Sequence, residues 1–129
     1  MMTNSAMEKK QTLVNAPQQT PWGYWQVLDD NDTYKVKKIS VKPGQRLSYQ
    51  KHFKREEFWI IVQGQAEVVL NGEIHKLNPG QTISIPQESL HRVGNASGSS
   101  EDLIFIEIQR GEYFGEDDIV RLEDDYGRK

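Results

Sequence analysis

The dipeptide Asn71-Gly72 constrains the fold of this chain more than any other feature of its sequence. It sits between two apolar-alternating runs, residues 66–70 (Ala-Glu-Val-Val-Leu) and 73–77 (Glu-Ile-His-Lys-Leu). A two-residue loop with positive φ at both positions matches the right-handed twist of paired strands, and Asn-Gly is its preferred sequence. Such a loop predicts Val69 opposite Ile74 and Glu67 opposite Lys76. Similar punctuation recurs on both sides. Residues 34–41 read as a strand whose apolar phase shifts between Val36 and Ile39, which predicts a bulge. Lys42, Pro43, Gly44 and Gln45 read as a turn, with Pro presetting one dihedral and Gly permitting a positive one. Residues 57–62 (Glu-Phe-Trp-Ile-Ile-Val) form an apolar run expected of a strand buried on both faces. Further strands are predicted at 81–85, 91–94 and 103–108. The only helical signal is 116–123, where acids follow Gly115 and predict a short C-terminal helical turn. Short strands spaced about ten residues apart predict an all-β sandwich or barrel. No internal repeat, low-complexity tract or heptad pattern interrupts that reading.

A chain of 129 residues has room for one such domain, which buries roughly two-thirds of the surface its unfolded form exposes. The predicted division is a mobile N-terminal arm, residues 1–19, and a β-barrel domain, residues 20–129. The arm is too polar to repay its own ordering and lacks the apolar centre of a secretory signal. No run approaches the ~18 apolar residues of a membrane-spanning helix, so no membrane partner is expected. Cysteine is absent, which excludes disulfides and thiolate metal sites and is compatible with a cytoplasmic location. Sixteen Lys and Arg are interspersed with nineteen acids for a net charge of −3, and nucleic acid is not an expected partner.

The chemistry-bearing candidates cluster around two of the three histidines, His52, His75 and His91. Gln50 and His52 are two apart and share a face on a strand. Glu57 opens the next apolar run, and His91 opens a strand after Pro86 and a polar turn. Two imidazoles with two oxygen donors suit zinc or another first-row divalent ion. His75 falls on the hairpin face with Ala66, Val68 and Leu77 and is read as a packing or rim residue. Glu107 interrupts the apolar run 103–108 on the face of Leu103 and Phe105. A carboxyl there would have its pKa raised by desolvation. The alternatives are an outward-facing Glu or one paired with Arg or Lys. Phe58, Ile60 and Val62 lie on the face opposite Glu57 and need cover, which predicts a homodimer. The acids Glu116, Asp117 and Asp118 are most simply solvated.

Gly44, Gln50, His52, Glu57 and Gly64 resemble the first cupin motif, and Gly80, Pro86, His91 and Asn95 the second, with Glu88 where a Gly is usual. The likeness narrows with Pro21-Trp22-Gly23, Tyr34, Lys35, Lys37, Lys38, Arg55, Trp59, Arg92 and the run 115–128. These resemble the phosphomannose isomerase domain of the type II family, known best as the last domain of a bifunctional isomerase and mannose-1-phosphate guanylyltransferase. The resemblance spans about Thr20 to Arg128. It departs at Thr20 (usually Arg), at the segment 51–55, which is usually histidine-rich, at Phe58 (usually His) and at Ala96 (usually Pro).

The resemblance implies a cupin-type double-stranded β-helix and metal-dependent interconversion of mannose 6-phosphate and fructose 6-phosphate. That activity supplies mannose precursors for nucleotide-sugar and polysaccharide synthesis. The implied metal ligands are Gln50, His52, Glu57 and His91, for zinc first, with manganese, cobalt, nickel or iron as alternatives. The catalytic candidates are Glu107 and Arg55. Arg55, Arg92 and Lys54 are the candidates for the substrate phosphate, since guanidinium suits bidentate phosphate contacts. Strand alternation points Arg92 away from His91, and surface ion pairing is the alternative role. Two other functions stay open: a non-catalytic cupin that binds a sugar or small ligand, and an iron or manganese dioxygenase built on His52, Glu57 and His91.

Overall fold

In the computed structural model, which describes residues 16–96 and 98–128, turn chemistry closes strands largely where the sequence predicts them. In chain order they are β1 (Gln18–Thr20), β2 (Gly23–Asp30), β3 (Tyr34–Val41), β4 (Tyr49–Lys51), β5 (Arg55–Gln63), β6 (Ala66–Leu70), β7 (Glu73–Leu77), β8 (Thr82–Ile85), β9 (His91–Asn95), β10 (Leu103–Gly111) and β11 (Val120–Glu123). Asn71 and Gly72 adopt φ of 47° and 85°, and the hairpin they close pairs Val69 with Ile74 and Glu67 with Lys76. At the predicted turn Gly44 has φ of 75°, and the Gln45 N–H donates to the Lys42 carbonyl at 3.1 Å.

The strands form a six-stranded sheet, β1-β2-β3-β10-β5-β8, and a five-stranded sheet, β11-β4-β9-β6-β7. Every pairing is antiparallel. Val41, Ile61, Leu103 and Phe105 of the larger sheet meet Ala66, Val68 and Val93 of the smaller in one buried cluster. This is the double-stranded β-helix. Its interior is divided along the strands. Inward positions run Lys37, Ile39, Val41 on β3, Glu107, Phe105, Leu103 on β10, and Glu57, Trp59, Ile61 on β5. Register sets Phe105 against both Ile39 and Ile61, and Glu107 against both Lys37 and Trp59. One end of the barrel is therefore a dry core, and the other carries buried charge.

Four expectations are corrected. The phase shift in β3 is not a bulge in that strand, because Lys37 itself points inward and is buried. The extra residue is Leu28 on β2, between Val27 opposite Lys37 and Asp29 opposite Val36. In β5, Phe58 and Val62 are exposed and Ile60 is half-buried, so within this chain only one face is covered. No helical turn forms at 116–123. A turn closed by Asp118 N–H to Gly115 O leads into β11, whose pairing with β4 satisfies the backbone that a helix would have bonded internally. Finally, Gln18 and Gln19 pair with β2, so the last residues of the expected arm belong to the sheet. The remainder of that arm, through residue 15, lies outside the described residues.

Candidate metal centre

Gln50 on β4 pairs directly with His91 at the start of β9, which brings two sequence-distant donors to one point of the smaller sheet. His52 follows β4, and Glu57 approaches from β5 of the facing sheet. One ligand atom each from His52, Glu57 and His91 lie within 4.8 Å of one another, and all three residues are buried. The imidazoles are oriented by the backbone. His52 Nδ1 is 2.9 Å from the Asp118 carbonyl, and His91 Nδ1 is 3.0 Å from the Ser89 carbonyl. An Nδ1–H donating to a carbonyl leaves the lone pair on Nε2, the tautomer a metal ligand needs; on His91 that lone pair has no partner, and on His52 it faces Arg55 Nη2.

Orphaned buried atoms supply the fit test for an ion. His91 Nε2 and Gln50 Oε1 are buried without a hydrogen-bond partner, and such atoms are costly unless something satisfies them. Together with His52 and Glu57 they present two nitrogens and two oxygens, a set suited to zinc and its first-row neighbours. Glu57 is held ready as a carboxylate. Burial alone would raise its pKa, but Arg55 first, then His91 and His52, overcome that and bring it to about 2. Arg55 Nε donates to Glu57 Oε2 at 2.9 Å, and Trp59 Nε1 donates to Glu57 Oε1 at 3.0 Å. Burial lowers the His52 pKa, with Arg55 and His91 adding to the effect against Glu57. His52 is therefore neutral and able to coordinate near pH 7.

Gln50, His52 and Glu57, with Arg55 and Trp59, wall a cavity of about 80 Å³ that also touches Trp25, Lys37, Glu107, Glu116 and Arg121. Glu107 faces it from β10, 6% exposed. Desolvation, helped by the Glu57 charge, raises its pKa to about 7 against the opposing influence of Lys37, Arg55 and a hydrogen bond from Gln109. A carboxyl at that value exchanges protons near neutral pH.

The other sequence candidates are distributed differently. Arg55 is buried in the cavity wall, its Nη2 3.1 Å from His52 Nε2. Arg92 points away from His91, as alternation predicts. It donates to the carbonyls of Leu47 and Glu123 and does not line the cavity. Lys54 is exposed, its ammonium 5.2 Å from the Tyr113 ring, and His75 sits near Glu73 on the outer hairpin. The family departures Phe53 and Phe58 are both exposed and outside the cavity lining, whereas Thr20 is part of it.

Several cavity residues lacked a recognised role in the sequence. Lys37 is 2% exposed, and its ammonium lies 3.2 Å from Glu116 and 4.2 Å from the Trp25 ring centre. The phase break in 34–41 was its signal. The acidic run 116–118 is not simply solvated: Glu116 reaches Lys37 and Arg55. Asp118 accepts from the N–H groups of Phe53 and Lys54 at 3.3 and 2.9 Å, tying the C-terminal segment to the loop that carries His52. Glu88, where cupins usually have Gly, has φ of 64°, and its N–H donates to the His52 carbonyl at 2.7 Å.

Residues 7–124 match the protein family described as mannose-6-phosphate isomerase, C-terminal. Mannose-1-phosphate guanylyltransferase ManC of Salmonella typhimurium is 44% identical over 108 residues, covering 84% of this chain and 22% of the relative. Alginate biosynthesis protein AlgA of Pseudomonas aeruginosa is 46% identical over the same length, again 84% of this chain and 22% of the relative. The chain thus spans about a fifth of these relatives. Among solved structures, oxalate decarboxylase of Lactobacillus farciminis superposes with a TM-score of 0.73 at 21% identity, covering 86% of this chain and 34% of that one. KdgF from Halomonas superposes with a TM-score of 0.69 at 19% identity, covering 76% and 89%. At such identities the structures speak for the fold alone.

Proposed function

The chain belongs to the mannose-6-phosphate isomerase C-terminal family, and on that premise we propose that it interconverts mannose 6-phosphate and fructose 6-phosphate with a bound divalent metal. The observation that carries this reading is the meeting, at one end of the barrel, of a buried carboxyl with pKa about 7, Glu107, and a convergent set of orphaned or preoriented ligand atoms. Gln50, His52, Glu57 and His91 would hold the ion. When bound it supplies Lewis-acid polarisation of the sugar's carbonyl and hydroxyl oxygens.

The protein's own groups do the rest. Aldose–ketose exchange removes a proton from carbon 2 and returns one to carbon 1, through an enediol. The Glu107 carboxylate takes the first proton and, as the acid, gives it back. A group whose pKa lies near the operating pH does both steps with little penalty. Trp59 and Arg55 fix Glu57 by two hydrogen bonds, and the dry core beyond Trp59 keeps bulk water from the far side of the site. Because Phe53 and Phe58 stand outside the cavity, the departures there take nothing from it, which favours an enzyme over a non-catalytic binding protein.

A homodimer belongs to the same proposal. Phe58, Ile60 and Val62 on β5 and Ile104, Ile106 and Ile108 on β10 form a contiguous outward strip, with Phe58 and Val62 at 40% and 48% exposure. A patch of this kind marks an interaction surface.

The test is a coupled mannose 6-phosphate assay together with exchange of the carbon 2 proton in heavy water, on protein of known metal content. Turnover that disappears on chelation and returns with divalent metal is expected. Glu107→Gln should lower turnover at least about a hundredfold while retaining metal. A metal-loaded protein that never exchanges the carbon 2 proton would end the isomerase reading.

A further inference from the structure

Two cations are fixed inside the barrel on separate strands, and one acid from outside serves both. Lys37 on β3 and Arg55 on β5 have side chains only 3% and 4% exposed. Both strands pair with β10, β5 without a break from Phe105 to Gly111, and this sets Lys37 opposite Glu107 and Arg55 opposite Gly111. The added Cβ of any other residue at Gly111 would lie 2.2 Å from the Lys54 carbonyl oxygen. That close approach holds the start of β5 against β10. The shared acid is Glu116, with Oε1 3.2 Å from Lys37 Nζ and Oε2 3.6 Å from Arg55 Nη1. It comes from the irregular segment between β10 and β11 and is half-exposed, at 49%.

A buried lysine at a core-facing strand position is costly, and an apolar residue there would serve folding better. Its retention is accounted for if the ammonium meets something other than Glu116. Lys37, Arg55 and Arg121 line the cavity with Glu57, Glu107 and Glu116, while Arg128, also in the wall, is paired with Asp124. With Glu107 protonated below about pH 7, the balance favours a further anion. Glu116 brings one negative charge to a position where a phosphate monoester brings up to two.

We propose that Lys37 and Arg55 form the subsite for the phosphate of the sugar phosphate, and that Glu116 is a place-holder which the incoming phosphate displaces. The proposal rests on the isomerase reading for the identity of the substrate, but the subsite itself is tested without turnover. A carboxylate standing between the two cations offsets charge that Glu57, paired with Arg55 alone of the two, leaves on Lys37, and its half-exposed side chain can swing outward while Asp118 keeps the segment on the His52 loop. Displacement also makes phosphate binding a competition, so removing the charge of Glu116 strengthens binding rather than weakening it. That sign separates a place-holder from an ordinary structural ion pair.

The experiment is calorimetric titration of inorganic phosphate into the full chain, with metal content matched across variants. Glu116→Gln should bind phosphate about three- to tenfold tighter, and Lys37→Met about tenfold or more weakly, as expected for one charge-assisted contact. Mannose 6-phosphate should compete with phosphate where mannose does not. Unchanged phosphate affinity in Lys37→Met, no tightening in Glu116→Gln, or no competition by mannose 6-phosphate overturns the proposal. Should Lys37→Met fail to fold by its thermal melt, Lys37→Arg, which keeps the charge, is expected to hold phosphate within about threefold of the parent, and Glu116→Gln still decides. If the phosphate pattern appears without any isomerisation, the subsite stands and the reaction assignment alone falls.

Discussion

Replacing Glu107 by Gln should change the way the metal-free protein's stability depends on pH. The folded-state pKa is raised from 4.5 to about 7 by desolvation and by the Glu57 charge. Between those values the native protein keeps a proton on Glu107 that the unfolded chain has released. Unfolding therefore sheds a proton, and stability falls as pH rises through this window. Below about pH 4.5 both states are protonated and the group contributes nothing unfavourable. Above about pH 7 the native state carries the full cost of a buried carboxylate, about 3 kcal/mol at ~1.4 kcal/mol per pH unit. Gln is isosteric, still accepts from Gln109, and does not titrate. Urea unfolding with a chelator present should accordingly show the variant close to the parent near pH 4.5 and more stable by up to about 3 kcal/mol near pH 8.5. Loading the metal should shrink that difference, since a nearby dication favours the ionised carboxylate. A gap between parent and variant that stays constant from pH 4.5 to 8.5 would refute the reasoning.

Other outcomes follow from the same geometry. His52→Ala and His91→Ala should each lose bound metal by at least about a hundredfold in affinity, because even outer partners of ligands are worth 10–100-fold. His75→Ala, on the outer hairpin, should keep its metal, and equal content in all three by elemental analysis would refute the ligand set. Phe58→Asp should convert a dimer into a monomer in sedimentation velocity, since it places a charge in the centre of an interface that needs about 1,200 Å² or more. A parent protein that is already monomeric at micromolar concentration would remove the dimer from the account.

Much of the fold was legible because its turns are chemically explicit. Asn71-Gly72 determined the register of β6 and β7, and the Pro43-Gly44 turn closed as its residues require. The candidate metal ligands could be named from sequence because two spaced motifs each bring their own donors, although only the pairing of Gln50 with His91 shows why they meet. The C-terminal segment was not legible. Glu116 and Asp118 look like solvated acids until the fold brings Lys37, Arg55 and the loop at Phe53 beneath them. Strand β11 shares that difficulty, because its short run has no periodicity of its own and forms only against the edge of β4. Arg92 shows the limit from the other side. Its neighbour His91 made it an attractive phosphate contact, but alternation sends it to the carbonyls of Leu47 and Glu123.

The two places where the hydrophobic pattern fails are the two places where the site is built. In β3 the apolar phase breaks at Lys37, and in β10 it breaks at Glu107. Read separately, each admits an innocent explanation, a bulge for one and an outward or paired acid for the other. Register removes both, since Lys37 and Glu107 are direct partners on the inward face of adjacent central strands. A folding sequence under no other demand would place apolar residues at both positions, as it does at Ile39 and Phe105 one step further along. The departure is thus paired and cross-strand, at the level of the barrel where the ligand atoms of His52, Glu57 and His91 converge. A carboxyl with its pKa raised to about 7 and a buried ammonium side by side are what the proposed isomerase of an anionic sugar would need from its walls. Both are lost to sequence periodicity for the same reason that they are useful, because they put charge where a barrel would otherwise be dry.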